Sequence, residues 1–194
     1  AHSGQVGFVY EHALQGFSMT MSPQAAAALA RNPRVAYIET NDTVTIAQST
    51  TGQSTPTGIT RILTDTTAVD IDSNDDYRVD VDVAVIDTGV DFEHPDLNVA
   101  GGVTCSQPNK GPRRLRTASC SPGGDDDHYH GTHVAGSIAG RHYGVAPMAR
   151  VVPVRVLGCT GDGSVSDVIA GINWMVSNHV AGTPAVANMS MGTP

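Results

Sequence analysis

Three histidines lie within six positions of one another in the segment DDDHYHGTH, residues 125 to 133. His128, His130 and His133 could ligate a metal, could be surface side chains, or could include a catalytic base. A zinc-binding helix of the H-E-x-x-H type places its histidines four residues apart, with a glutamate between them. His130 and His133 are three residues apart and enclose a glycine and a threonine. This spacing does not favour zinc.

A carboxylate that could orient an imidazole occurs at Asp87, directly after the apolar run VDVAVI. A carboxylate at the end of a buried strand is held rigidly and partly desolvated, and it can accept a hydrogen bond from a histidine ring. Gly131 follows His130 and would let another segment approach closely. Asp87 and His130 could therefore serve as an orienting carboxylate and a general base.

The elements that would position these two residues alternate between strands and helices. Continuous apolar strands separated by helices are typical of a parallel sheet covered on both faces. Reactive groups in such sheets lie at the carboxyl ends of the strands and at the adjoining helix starts. We therefore predict an α/β fold, with strands at 81–87, 151–157 and 185–190 and helices at about 130–140 and 166–179.

A different pattern precedes these elements. The segment SPQAAAALARNP, residues 22 to 33, predicts a helix capped by Ser22 and begun by Pro23, with strands on either side at FVYEHAL and RVAYIE. The following stretch, QSTTGQSTPTG, is almost without apolar residues, which is typical of an exposed linker and a cleavage site. We predict a small unit at 1–47, a linker at 48–55 and a larger domain at 56–194.

Composition excludes two classes of partner. The chain is 40% hydrophobic and 15% charged, with a net charge of -8, and its Lys and Arg residues are scattered apart from one short cluster at 113–116. Nucleic acid is therefore not expected, because phosphate binding needs a basic face. The longest apolar runs fall far short of the roughly 20 residues that cross a bilayer. The N-terminus has no starting Met and no signal-peptide pattern, so we expect any targeting signal to have been removed or to lie outside this chain.

The three cysteines, Cys105, Cys120 and Cys159, form no C-x-x-C pair. Cys105 and Cys120 flank a loop rich in Pro, Gly and Arg, and a disulfide closing a loop of about 15 residues would stabilise the fold by roughly 3 kcal/mol. Such a bond would imply an oxidising, secreted setting. Free buried thiols are the alternative. The pattern indicates no partner for Cys159.

Three segments together resemble the motifs of the subtilases, the subtilisin-like serine peptidases. VAVIDTGVDFEHPDLN resembles the family's aspartate motif, HGTHVAGSIAG its histidine motif and VANMSMG the strand that follows. They occur in the family's order, and the resemblance covers about residues 56–194. It implies a secreted serine endopeptidase of polypeptide substrates, with Asp87 and His130 as catalytic residues. It implies that His133 is a helix-packing neighbour and His128 a loop residue.

The first 47 residues resemble the C-terminal part of the family's inhibitor-type propeptide, through HALQGFSMTMSPQ and RVAYIE. That propeptide is a small α+β unit of ferredoxin-like form, which assists folding and then blocks the cleft with its own tail. In this chain the tail would be residues 44–47. The resemblance thus implies the chain's own propeptide as a partner in the cleft.

The resemblance also implies two backbone edges that bind substrate. Subtilases bind extended peptides as an added strand, so main-chain hydrogen bonds give affinity and side-chain pockets give selectivity. An ordinary turn is the alternative for the GDG sequence on the first edge. The residues that match the two edges are Gly161, Asp162 and Gly163 on one side and Ser190, Met191 and Gly192 on the other.

No residue is assigned as a metal ligand. Some subtilases insert a calcium loop after the histidine helix, but SIAGRHYGVAPMA leaves no room for it here. Asp96 matches a calcium-ligand position in those relatives, so calcium stays open as a cofactor of the full-length protein. The acidic residues between Asp70 and Asp82 do not match an EF-hand loop, and we expect them, like the acidic residues at 125–127, to be solvated.

The family's nucleophilic serine, in a G-T-S motif, and its oxyanion asparagine have no match in this sequence, which ends at NMSMGTP. The simplest account is a fragment of a proenzyme truncated at both ends, and we expect the 194-residue chain alone not to hydrolyse peptides. The rival is a non-catalytic pseudo-peptidase or propeptide-type inhibitor. The sequence does not indicate side-chain specificity or oligomeric state.

Overall fold

The computed structural model describes residues 4–46, 80–106 and 119–193. Its elements follow the chain as a hairpin and helix, an isolated strand, and then an alternation of strands and helices. In order they are β1 (Gln5–Tyr10), β2 (Gly16–Thr20), α1 (Pro23–Leu29), β3 (Thr43–Ile46), β4 (Asp82–Asp87), β5 (Asn98–Val99), β6 (Val103–Ser106), β7 (Ser119–Pro122), α2 (His130–Ala139), β8 (Arg150–Arg155), β9 (Asp162–Ser164), α3 (Val165–Asn178), β10 (Ala185–Asn188) and β11 (Met191–Gly192).

The central sheet has the strand order β10, β4, β8, β6, β7, and the short β5 also pairs with β8. All of its pairings are parallel except that between β6 and β7. This is the predicted α/β architecture. Strand β4 lies between β10 and β8, so the apolar run that precedes Asp87 is hydrogen-bonded along both of its edges.

Helices cover both faces of this sheet because the side chains of each strand alternate between the two sides. Val83, Val85 and Val151 form a buried cluster with alanines of α2. Ile86 and Val154 form a second cluster with Ala170 of α3. The predicted helices at 130–140 and 166–179 are confirmed, as His130–Ala139 and Val165–Asn178.

The N-terminal unit consists of the antiparallel pair β1 and β2 and the helix α1. The predicted cap of α1 is confirmed: the Ser22 side chain accepts a hydrogen bond from the Ala25 amide, and Pro23 occupies the first turn. The predicted strand at RVAYIE is wrong, since residues 34–39 form no strand and Tyr37 is 70% exposed. Alternating side chains supply the pattern of a strand, but only a paired neighbour gives it hydrogen bonds.

A disulfide joins Cys105 and Cys120, which lie directly opposite each other in β6 and β7. The predicted pairing is therefore confirmed, and free buried thiols are excluded at these two positions. Cys159 is free and exposed among the described residues. The predicted linker at 48–55 lies outside the described residues, and the predicted domain boundaries stay predictions.

Candidate active site

Asp87 and His130 meet at the carboxyl end of the central sheet. Asp87 is the last residue of β4 and His130 is the first of α2. The Nδ1 atom of His130 lies 2.8 Å from the Oδ1 atom of Asp87, and the two residues are 6% and 0% exposed. The same carboxylate oxygen accepts a hydrogen bond of 2.7 Å from the Thr88 amide. The carboxylate is therefore held from two directions.

The close approach of α2 to the end of β4 depends on Gly131. A Cβ atom at this position would lie 2.0 Å from the carbonyl oxygen of Gly89. Gly89 itself has a φ of +110°, which lets the chain turn sharply after β4. Any larger residue at 131 would push His130 away from Asp87.

This geometry divides the functions of the two ring nitrogens. With its proton on Nδ1, the ring of His130 donates to Asp87, which leaves the lone pair of Nε2 free to accept a proton. A buried carboxylate in this position also stabilises the imidazolium once it forms. The pair can therefore act chemically as a general base with its orienting group.

The two other histidines of the motif have different surroundings. His133 is exposed on α2, so the prediction that it packs against the helix's neighbours is wrong. His128 is a half-buried loop residue, as expected, and its ring stacks on that of Tyr129 at 4.6 Å between centroids. Its Nε2 atom faces Gly161, where a Cβ would approach it to 3.1 Å.

Asp126 is a functional candidate that the sequence analysis missed. It was expected in a solvated acidic loop, and its neighbours Asp125 and Asp127 are indeed exposed. Asp126, in contrast, is half-buried and accepts five hydrogen bonds around the start of α2. Burial alone would raise the pKa of its carboxyl, but the hydrogen bonds led by Thr132 outweigh burial and lower that pKa. Nothing in a run of three aspartates distinguishes the middle one.

A groove beside the histidine helix is occupied by a segment of the chain itself. Strand β3 lies between β9 and β11 and is antiparallel to both. Val44 is opposite Gly163, Thr45 is opposite Asp162, and Ile46 is opposite Met191. The Ile46 amide also donates to the carbonyl of Gly161 at 3.1 Å.

The structure thus brings together most of the residues that were expected to form two binding edges. Gly161, Asp162 and Gly163 contact β3 on one side, and Met191 and Gly192 do so on the other. Ser190 is not paired with β3; its hydroxyl accepts a hydrogen bond from the Asn188 side chain at 2.9 Å.

One side chain of the inserted strand is enclosed. Val44 is only 6% exposed and packs in the same cluster as Leu157 and Val156. This part of the groove therefore offers an apolar pocket as well as backbone hydrogen bonds.

The described residues contain no group of three His, Cys, Asp or Glu side chains arranged to hold a metal. The Oδ1 atom of Asp96 lies 3.0 Å from the Nδ1 atom of His142. None of the helices in the described residues has the length and apolar character that crossing a membrane requires.

Residues 79–194 match the sequence model of the Subtilase family. The chain belongs to the subtilase family. Residues 2–47 match the model of the peptidase inhibitor I9, so the N-terminal unit is an inhibitor-type propeptide. These two matches agree with the resemblance that the sequence motifs carry.

Several curated subtilases are similar to this chain along most of its length. It is 37% identical to alkaline serine exoprotease A of Vibrio alginolyticus, covering 98% of this chain and 34% of that protein. It is 40% identical to the extracellular serine proteinase of Thermus sp. strain Rt41A, covering 97% of this chain and 43% of the relative. It is 38% identical to subtilisin E of Bacillus subtilis, covering 90% and 41% respectively. The chain therefore spans less than half the length of these relatives.

A crystal structure of a cold-adapted subtilisin-like serine proteinase is 36% identical to the chain. The match covers 56% of this chain and 36% of the other, with a TM-score of 0.42.

Proposed function

We propose that this subtilase chain is part of the proenzyme of a secreted serine endopeptidase, held inactive by its own propeptide. The observation that carries the proposal is the position of β3 as the middle strand between β9 and β11. An extended segment bound through backbone hydrogen bonds on both edges is what a peptide substrate would form in the same groove.

In this proposal His130 is the general base. Its Nε2 atom removes the proton from a serine hydroxyl as that oxygen attacks the substrate carbonyl, and it later gives the proton to the leaving amine. Asp87 accepts the hydrogen bond of the ring, keeps it in the Nδ1–H tautomer and stabilises the imidazolium. The serine and the oxyanion asparagine would come from further sequence, and the inactivity of the 194-residue chain alone stays a prediction.

Substrates are extended segments of polypeptide. Gly161, Asp162 and Gly163 supply one edge of the binding ladder, and Ser190, Met191 and Gly192 belong to the other. Because β3 buries Val44 in the groove, we expect an apolar side chain to be favoured two residues before the position of Ile46. Burial of such a side chain contributes about 1.5–3 kcal/mol.

Maturation is proposed to cut the chain between about Ala47 and Ser54, directly after the segment that occupies the groove. This divides the protein into a propeptide at 1–47 and a peptidase domain that begins at about residue 56. The polar composition of residues 48–58 supports this position. A segment with so few apolar residues can enter a cleft without disrupting either of the folded units that flank it.

Secretion is supported by two observations. The Cys105–Cys120 disulfide is a bond that forms and persists in oxidising compartments. The Thermus relative carries the name extracellular serine proteinase. Calcium is proposed as a cofactor of the full-length protein alone, because Asp96 matches a ligand position of calcium-binding subtilases.

A non-catalytic pseudo-peptidase or propeptide-type inhibitor is the second candidate, because a bound β3 alone would also suit a protein that only holds a peptide. The hydrogen bond between His130 and Asp87 favours the peptidase, since a binding protein gains nothing from a buried acid and base in this alignment.

The test is to extend the reading frame beyond residue 194, to produce the longer protein and to assay it with a fluorogenic peptide. His130→Ala should lower kcat by about 10⁶, the size of the loss on removing the histidine of subtilisin itself. His133→Ala is the matched control, because it removes an exposed histidine one turn further along α2, and it should keep full activity. A folded longer protein without turnover would favour the pseudo-peptidase, whereas turnover that survives His130→Ala would show unrelated chemistry or contamination.

A further inference from the structure

The carboxylate of Asp126 lies between the end of β4 and the start of α2. Its Oδ1 atom accepts hydrogen bonds from the Thr88 hydroxyl at 3.0 Å and from the amides of His128 and Tyr129 at 2.9 and 3.1 Å. Its Oδ2 atom accepts from the amide of Thr132 at 3.0 Å and from the hydroxyl of the same residue. These donors come from both sides of the Asp87–His130 pair.

The two threonine hydroxyls have complementary positions. Thr88, next to Asp87, accepts a hydrogen bond of 3.0 Å from the amide of Gly131, next to His130. Thr132, on α2, accepts one of 3.0 Å from the amide of Asp91, in the loop after β4. Each hydroxyl thus gives its hydrogen to Asp126 and accepts an amide of the opposite element.

A hydroxyl has a single hydrogen and rotates to suit its partners. By accepting the hydrogen of each threonine hydroxyl, Asp126 fixes the orientation of that hydroxyl. A lone pair of the hydroxyl oxygen then faces the backbone amide that donates to it. The strand end and the helix start are therefore crosslinked twice through one carboxylate. Its acceptor-only character is essential, because all five partners are donors.

The helix also needs these acceptors because its own cap is missing. Tyr129, at the N-cap position of α2, has a φ of 89° and makes no side-chain capping bond. The first amides of a helix have no partner within it. Here Thr88 accepts from Gly131, and Asp126 accepts from Thr132 and from Tyr129 itself. A left-handed conformation is strained for a bulky residue, and it persists only when its surroundings hold it.

We infer that Asp126 is a positioning residue of the peptidase: it fixes the start of α2 on the end of β4 and so holds the Nδ1 atom of His130 against Asp87. The inference rests on the proposed function, because it concerns the same acid and base. It predicts a loss in the chemical step, since the five hydrogen bonds that Asp126 accepts come from residues at the end of β4 and around the start of α2, and not from residues paired with β3.

The decisive variant is Asp126→Asn in the longer protein, with Asp125→Asn as its matched control. An asparagine at 126 has one acceptor oxygen. Its NH₂ group would therefore face donors, either those that now bind Oδ1 or those that now bind Oδ2. Asp125 is exposed and its Oδ1 atom accepts only the Asp126 amide, which an asparagine oxygen would also accept. The control thus removes the same charge one residue away without removing an acceptor.

We expect Asp126→Asn to lower kcat by roughly 100-fold at an unchanged KM, the size of loss that a misplacement of about 1 Å produces. Asp125→Asn should change kcat by no more than about twofold, as surface substitutions do. Counting active sites with a fluorophosphonate expresses kcat per competent molecule, so that a smaller folded fraction is not mistaken for slower chemistry. A second readout, from ¹⁵N shifts, is the fraction of neutral His130 in the Nδ1–H tautomer, which should fall only in Asp126→Asn.

Thr88→Val and Thr88→Ser keep the inference testable if Asp126→Asn does not fold. Valine removes the hydroxyl that joins Asp126 to Gly131 at nearly constant volume, whereas serine retains it. Valine should lower kcat about tenfold or more, and serine should restore it to within about threefold.

A kcat per active site that is unchanged in Asp126→Asn, or a serine variant as slow as the valine variant, would overturn the inference. Failure of the proposed function has a different signature, because the unsubstituted longer protein would then show no turnover, or its turnover would survive His130→Ala.

Discussion

The phenol of Tyr10 donates a hydrogen bond to the backbone carbonyl of Ser166 at 3.0 Å, across 156 residues of sequence. Tyr10 belongs to the propeptide strand β1, and Ser166 lies in the first turn of the peptidase helix α3. The Ser166 amide in turn donates a hydrogen bond to the Oδ1 atom of Asn41 at 2.8 Å. Propeptide and peptidase domain are therefore joined at α3 as well as in the groove.

Alkaline pH should loosen this interface. Burial raises the pKa of Tyr10, and the negative charge of Asp167 raises it further. Because the pKa is raised in the folded state, its contribution to stability is complete below the unfolded value near 10 and is lost as the pH rises through the folded value. Between pH 8 and 12, the free energy of unfolding should therefore fall more steeply with pH for the wild type than for Tyr10→Phe. Tyr143→Phe, at an exposed tyrosine, should follow the wild type; superimposable curves for all three proteins would refute the expectation.

Asn173 should control how tightly the propeptide binds. Its Oδ1 atom accepts the amides of Glu11, His12 and Ala13 at 3.0, 2.7 and 3.2 Å. Asn173→Ala should weaken inhibition of the mature peptidase by a synthetic 1–47 peptide about tenfold, since a lost hydrogen-bond acceptor costs about 1 kcal/mol or more. Asn173→Asp should strengthen inhibition, because a carboxylate accepts more strongly than an amide.

The control for Asn173 is Asn178→Ala, at the last residue of the same helix. Its amide nitrogen donates hydrogen bonds to the Trp174 carbonyl and the Ser177 hydroxyl, both on the same helix. Equal inhibition constants for Asn173→Ala and Asn178→Ala would show that the contact with residues 11–13 adds nothing to affinity.

The disulfide should stabilise the fold by closing a loop. Its cysteines are separated by 15 residues. Replacing both Cys105 and Cys120 by Ser should lower the free energy of unfolding by about 3 kcal/mol. Cys159→Ser removes only an exposed free thiol and should leave that free energy unchanged. Denaturant titrations with and without a reductant measure both effects, and a reductant that does not destabilise the wild type would contradict the expectation.

Asp87→Asn should separate catalysis from folding in the longer protein. The asparagine can fill the same space, but its amide favours the wrong tautomer of His130, so kcat should fall by about four orders of magnitude. Thermal unfolding should show that the variant still folds. A loss of less than about tenfold would count against the pair as acid and base.

Periodicity predicted the central sheet well because its strands are buried on both faces. Such strands are continuous apolar runs, and the run before Asp87 could be placed almost to the residue, as Asp82–Asp87. The capped helices were equally clear, since Ser22 and Pro23 mark a start by local chemistry. The failure concerned strand pairing, because RVAYIE has the alternation of a strand and yet pairs with no other strand among the described residues.

The site was predictable only in part for a similar reason. Asp87 and His130 stand out because each ends or begins an element, but the spacing of three histidines does not show that His133 faces solvent. Asp126 owes its position to five donors brought together by two separate elements, and no local pattern encodes such a convergence.

The location of β3 has a consequence for the order of folding events. Val44 pairs with Gly163 and Ile46 pairs with Met191, so each of these pairings closes a loop of more than a hundred residues. Loop-closure entropy makes contacts between residues so far apart in the sequence slow to form. The segment made early in synthesis therefore takes its place late, after β9 and β11 have both been laid down. The groove is thus filled at about the time it first exists, so that under the proposed function a newly made peptidase would have little opportunity to cleave other polypeptides.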